Sequence, residues 1–330
     1  MSTSKIGQIL KDTPTNWGKW GKDDEVGAVR YLDSAQVLRG IRAVQHGRVF
    51  TLGVPLNNRR TGDPVAPGRY GPQHFMQRDK SHYECGKVHR TEAYGGGESS
   101  EDSMLLPLHG TTHFDALGHV WYDDKLFNGF DAATTKGGLD RCSIAPLAQH
   151  GVVGRAVLAD ICRFRDVPYL PGGSRITFDE LKACLAQQKV TLEKRDILMI
   201  RTAWLDVFYA GRKAEFYGDD APKPERSFNL VEPGLTYEKE MVQWFHDMEI
   251  PALCTDTMGN EQSFSETTQT HMPLHRALIR DQGMLFGEIF GLNELAEDCA
   301  RDGKYDFMFV ASPLKILQGT GSPVNPIAIK

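Results

Sequence analysis

Between residues 152 and 311 the chain alternates short apolar runs with segments of helical period. GVVGRAVLADI, DILMIRT, IPALCTD, GMLFGEIF and YDFMFVASPL each read as a buried strand. ITFDELKACLAQQK, TYEKEMVQWFHDM and NELAEDCARD repeat apolar residues at helical spacing, and Thr177 with Glu180 has capping-box spacing. Pro273 opens a further short helix, PLHRALIRD. Buried strands alternating with helices predict an α/β fold with a sheet core and helical cover.

Upstream the pattern changes. Residues 12–32 are turn-rich and carry a W-G-K-W-G repeat. Asp33 or Ser34 can cap a helix to about His46, with Val37, Leu38, Ile41 and Val44 on one face. RVFTLGVPL reads as a strand, and residues 57–103 show no clear period. So long an irregular stretch is uncommon unless it is disordered or packs over a site. There is no linker after residue 104 and no internal repeat. The expected organisation is an N-terminal arm and helix over residues 1–47, then a single domain over 48–330.

The densest chemistry lies in LHGTTHFDALGHVWYDD, residues 108–124. On a helix His109 and His113 would share a face while Asp115 points away. On a strand, residues of equal parity share a face, so His109, Thr111, His113 and Asp115 project together, with Gly110 allowing close backbone approach. A turn at Gly118 could return His119 to the same place. Burying such a row without a cation would leave Asp115 an unpaired charge. Imidazole and carboxylate together suit zinc, manganese or iron.

A metal site needs ligands from elsewhere. HMPLHRALIRDQGMLFGEIF carries His271, His275 and Glu288, the last on an apolar strand. A carboxylate among Phe286, Ile289 and Phe290 requires a positive partner, either a metal or Arg276 or Arg280. His46 and His150 end elements beside glycines, and His246 suits a helix C-terminus. His74, His82 and His89 lie in the irregular region, where they could touch substrate.

Composition narrows the partners. With 40% hydrophobic and 25% charged residues and a net charge of −5, the chain has ordinary globular proportions and no basic field for nucleic acid or an anionic membrane. The six cysteines are widely spaced without a CxxC pair, which argues against a zinc ribbon or disulfide framework. With no long apolar stretch, a cytoplasmic protein is expected. No G-x-S-x-G elbow suggests a serine hydrolase.

H109-G-T-T-H113-F-D115-A-L-G-H119, followed by WYDDKLFNG, resembles the metal-dependent cyclase family, which includes kynurenine formamidase-like, isatin hydrolase-like and dienelactone hydrolase-like enzymes. The likeness extends to NWGKWGKDDEVGAV, DILMIRTAW, PGL, WFHD, CTD and HRALIRDQGMLFGEIFGL. The resemblance implies a swivelling β/β/α fold with a mixed central sheet, assembled as a homodimer or homotetramer. It implies metal ligands at His109, His113 and Asp115, with Asp115 bridging where two ions bind, and at His275 and Glu288. His119 matches the family's acid/base histidine. Glycine falls one place early in the first motif, Leu117 replaces a proline, and the interval from His275 to Glu288 is slightly stretched.

The expected function is hydrolysis of an amide, cyclic amide or imide, or lactone, with one or two zinc or manganese ions. The metal would activate water near neutral pH, and His119 would pass the proton to the leaving group. Trp17, Trp20, Trp121 and Phe127 are candidate walls for an aromatic or cyclic small-molecule substrate. The rivals are a non-haem iron oxygenase with a His-x-Asp…His triad and a non-catalytic metal-binding protein.

Overall fold

The computed structural model describes residues 3–89, 95–218 and 231–330. In chain order its strands begin with β1 (Val49–Thr51), the ribbon strands β2 (Gln73–Arg78) and β3 (Glu101–Leu105), and β4 (His113–Asp115). β5 (Val152–Asp160), β6 (Arg175–Ile176), β7 (Ile197–Arg201), β8 (Gly234–Leu235) and β9 (Ala252–Thr255) follow. The short pair β10 (Phe264–Ser265) and β11 (Thr270–His271) precedes β12 (Leu285–Glu288), β13 (Asp306–Ala311), β14 (Gly321–Pro323) and β15 (Ile327–Ile329).

Nine of these form one mixed sheet in the order β1-β15-β13-β5-β7-β9-β12-β4-β14. Its centre, β5-β7-β9-β12, is parallel. These are the continuous apolar runs of the sequence, because helices cover parallel strands on both faces. Antiparallel β13 and β15 extend one side, and antiparallel β4 and β14 the other.

The covering helices follow the periodic segments. Ser34–Ala43 is capped by Asp33, whose carboxylate accepts from the Ala35 and Gln36 amides. Gly40 lets this helix press onto the sheet, since a Cβ there would lie 2.8 Å from the Gly154 carbonyl carbon. Phe178–Gln187 starts at Thr177, which accepts from the Glu180 amide. Lys239–Asp247 and Asn293–Asp302 complete the pattern.

The segment before the Ser34–Ala43 helix is tied to the body: the Asn16 amide donates to the Asp281 carbonyl and the Ala28 amide to that of Gly283. Three expectations change. The aperiodic stretch after residue 57 contains the β2–β3 ribbon, exposed along most of both strands. With neither face buried, no alternation marks it. His109 and Thr111 are not in a strand, because β4 comprises only His113–Asp115 and His109 lies in the turn before it. The predicted short helix is a π-helix over His275–Asp281, the wide form that takes up an extra residue and recurs at functional sites. No helix among the described residues is long and apolar enough to cross a membrane.

Candidate metal centre

β4 lies between β12 and β14, and their registers build the site. His113 is directly opposite Glu288, and Asp115 is opposite Gly321. Parity along β4 puts Asp115 on the face of His113. His113 Nδ1–H donates to the Thr111 carbonyl at 2.7 Å, which leaves Nε2 facing inward. Nε2 lies 3.4 Å from Asp115 Oδ1 and 3.2 Å from Glu288 Oε2.

His109 reaches the same point from its turn. Its Nδ1 is 3.5 Å from Asp115 Oδ1, and its Nε2 is 3.2 Å from Thr320 Oγ1. Arg69 Nη1 holds its carbonyl at 2.7 Å. Gly321 provides the room, since a Cβ there would lie 2.7 Å from His109 Nε2. After β4 the chain turns at Leu117–Gly118, and the His119 amide donates to the Ala116 carbonyl. The His119 ring thereby comes to 4.3 Å from that of His109, centroid to centroid.

The second segment closes the other side. His275 Nε2 is 3.3 Å from Glu288 Oε1, and Asn260 Nδ2 donates to the same oxygen at 3.3 Å. His271 turns away, its Nδ1–H donating to the Ser263 carbonyl at 3.1 Å. Arg276 is spent on the His271 and Met272 carbonyls, and Arg280 on Lys125, Tyr122 and Asp281. Neither neutralises Glu288. Ile289, the next residue, is left-handed at φ 59°, costly for a β-branched side chain. It is held by its amide on the Thr257 carbonyl and by Thr112 Oγ1 donating to its own carbonyl.

Charge is concentrated here, with imidazoles set against carboxylates. Burial alone would keep the His113 ring neutral, but the nearby carboxylates of Asp115 and Glu288 raise it to about 9. Burial opposes a proton on His275 as well, and Glu261 and Glu288 raise it to about 10. Burial and the neighbouring His113 and His119 hold His109 far below its ordinary value, and desolvation also lowers His119. Burial would raise Asp115, yet His119, His113 and His109 together hold it below the usual carboxylate range.

Four of the buried side-chain atoms that lack a hydrogen-bond partner among the described residues gather here: His109 Nδ1, His113 Nε2 and both carboxylate oxygens of Asp115. Buried polar groups are almost always paired, so four orphans converging on one point fit a cation. Their ligand atoms form two close groups, His109–Asp115–His119 and His113–Asp115–Glu288, which share Asp115. This nitrogen and oxygen donor set suits zinc, manganese or iron.

The aromatic candidates scatter. Phe127 is fully buried in the main core, against the position a Gly283 Cβ would take, so it cannot line an open cavity. Trp17 donates from Nε1 to the Arg280 carbonyl and stacks under its guanidinium, while Trp20 meets the Tyr31 ring edge-on. Trp121, two residues past His119, is 42% exposed. Sequence reasoning missed Arg69, Asn260, Glu261, Thr320 and Gly321, since each is placed by a long-range contact that leaves no local signal. It also missed Glu232, a buried carboxyl that accepts from the Met258 amide at 2.6 Å and that burial pushes well above its ordinary range.

Residues 50–262 match the family described as "Putative cyclase". A solved structure of a novel cyclase is 34% identical over 96% of this chain and 100% of its own, with a TM-score of 0.82. An isatin hydrolase bound to the product analogue thioisatinate shares the fold at 19% identity, over 89% of this chain and 94% of its own, with a TM-score of 0.57. Isatin hydrolase A from Labrenzia aggregata, bound to benzyl benzoate, does so at 18% identity, over 89% and 97%, with a TM-score of 0.59. No curated protein matches the sequence. On its family match and on its identity to the solved cyclase, the chain belongs to the cyclase family.

Proposed function

We propose that this protein is a metal-dependent hydrolase that cleaves the acyl bond of an amide, cyclic amide or imide, or lactone. The observation that carries the proposal is the group of four buried, unpartnered atoms on His109, His113 and Asp115. His109, His113, Asp115, Glu288 and His275 would hold one or two divalent ions, zinc or manganese, with Asp115 shared between the two close groups. A divalent ion there supplies Lewis acidity, lowering the pKa of water and polarising a carbonyl. The chain's own part is to hold those donors, through Thr111, Thr320 and Asn260, and to move a proton. His119, desolvated and thus poised to be neutral, takes a proton from the attacking water and delivers it to the leaving nitrogen or oxygen.

Trp121 is the aromatic best placed to meet a ring on the substrate, and the isatin hydrolase likeness supports an aromatic or cyclic one. Five candidate donors exceed the three of an iron oxygenase triad, which favours hydrolysis. The proximity of His119 to His109 and Asp115 favours a second reading, in which His119 is itself a ligand. His119→Ala separates them: retained metal with lost turnover supports proton transfer, and lost metal supports ligation. The direct test is metal analysis with a hydrolysis screen of aryl formamides, cyclic amides and imides, and lactones, with and without chelator. Chelator-insensitive hydrolysis would overturn the proposal.

A further inference from the structure

We infer that Glu261 is a positioning residue for the metal centre, acting through His275; the inference rests on the metal-hydrolase reading above. Glu261 bridges Leu235 just before β10, is 1% exposed, and follows the left-handed Asn260. One carboxylate oxygen, Oε2, accepts from the Leu274 amide at 2.8 Å. The other accepts from the His275 amide at 2.6 Å and from His275 Nδ1 at 2.7 Å. Three donors, two backbone and one side-chain, thus meet a single carboxylate at the entry to the π-helix.

An ionised carboxylate only accepts hydrogen bonds, so a proton on this imidazole is assigned to Nδ1. Nε2 faces Glu288 Oε1, 3.3 Å away. A proton fills that contact in the metal-free protein, and a metal ion that displaced it would meet the lone pair of Nε2, which Glu261 aims there. Carboxylates that grip the far nitrogen of a metal-binding histidine fix its tautomer and orientation and raise its basicity. Both Glu261 oxygens are already engaged by these donors, so it positions the ligand and is not one.

A helix-entry anchor of purely structural value would make the same hydrogen bonds, so the test must separate the two. Glu261→Gln keeps the shape and loses one acceptor. Zn2+ affinity is measured by chelator competition in the wild type, Glu261→Gln, His275→Ala and the double variant, with thermal melting of the metal-free proteins alongside. Positioning through His275 predicts an affinity loss of about 10- to 100-fold for Glu261→Gln, and no further loss when it is added to His275→Ala. It also predicts a shifted visible spectrum for the Co2+-loaded variant and partial recovery with Glu261→Asp. Unchanged affinity beside a lowered melting temperature, or a full additional loss in the His275→Ala background, would overturn the inference alone. A wild type that takes up neither ion would overturn the metal-hydrolase reading itself.

Discussion

Two pairs of charged residues face each other across neighbouring strands of the same sheet, and they are built oppositely. At the ends of β5 and β7, Asp160 is in register with Arg201. Arg201 Nη1 donates to Asp160 at 2.9 Å, and the Arg163 amide donates to the same carboxylate. Arg201 Nε donates to Asn293 Oδ1. On β12 and β4, Glu288 is in register with His113, and Asp115 adds a second carboxylate on the same face. The first pair carries its own counterion. The second gathers negative oxygens and an imidazole nitrogen and leaves three of these atoms unpaired, with His109 Nδ1 a fourth beside them. Burial alone therefore does not mark a site; burial with unmet charge does.

The sharpest way to break this contrast is to alter each pair. Asp115→Asn should lower metal content and turnover by more than about 100-fold, while barely changing the melting temperature of the metal-free protein. Arg201→Ala removes the closer of two cationic partners of the buried Asp160, leaving Arg163 Nε at 3.3 Å, and should cost about 3 kcal/mol of stability, with metal stoichiometry intact in the folded fraction. Calorimetry with metal analysis reads both, and a metal-free Asp115→Asn protein that collapses would make the second pair structural too.

The next largest effect is expected from His119→Ala, which should lower turnover by about 10²- to 10⁴-fold. Single-turnover hydrolysis on metal-loaded enzyme measures it.

Titration gives a third handle. The folded values of His113 and His275, about 9 and about 10, lie above the ordinary histidine value of 6.5. Their contribution to stability is fully present below pH 6.5 and is lost as pH rises through 9 and 10. The melting temperature of the metal-free protein should therefore fall over that range. With metal bound, nitrogens that serve as ligands would hold the ion and not a proton, so the fall should be suppressed. Parallel curves for the two forms would count against these histidines as ligands.

The smallest effect should come from Gly321→Ala, whose Cβ would intrude on His109 Nε2. A destabilisation of about 1–3 kcal/mol is typical of such overpacking. It should appear with a weaker metal affinity, measured by chelator titration.

Much of the fold was legible because parallel strands buried on both faces leave continuous apolar runs, and the helices between them keep their caps. Thr177 and Asp33 are where local chemistry said helices begin. The β2–β3 ribbon was invisible for the opposite reason, having no buried face to impose a period. At the site, His113, Asp115 and Glu288 could be found as polar residues in apolar strands. Equal parity placed His113 beside Asp115 correctly, but it put His109 on a strand that does not extend so far. His109 arrives by a turn, steadied by Arg69 and Thr320.

By itself the sequence determined the α/β class, the segments that carry the donors and the choice of histidine and carboxylate. All are set by side-chain chemistry and by periodicity within short windows. Only the tertiary structure decided that His113 meets Glu288, that His275 and not His271 turns inward, and that Glu261 grips its far nitrogen. Those facts depend on strand register and on contacts between segments far apart in the chain, and the order of residues within one segment does not encode them.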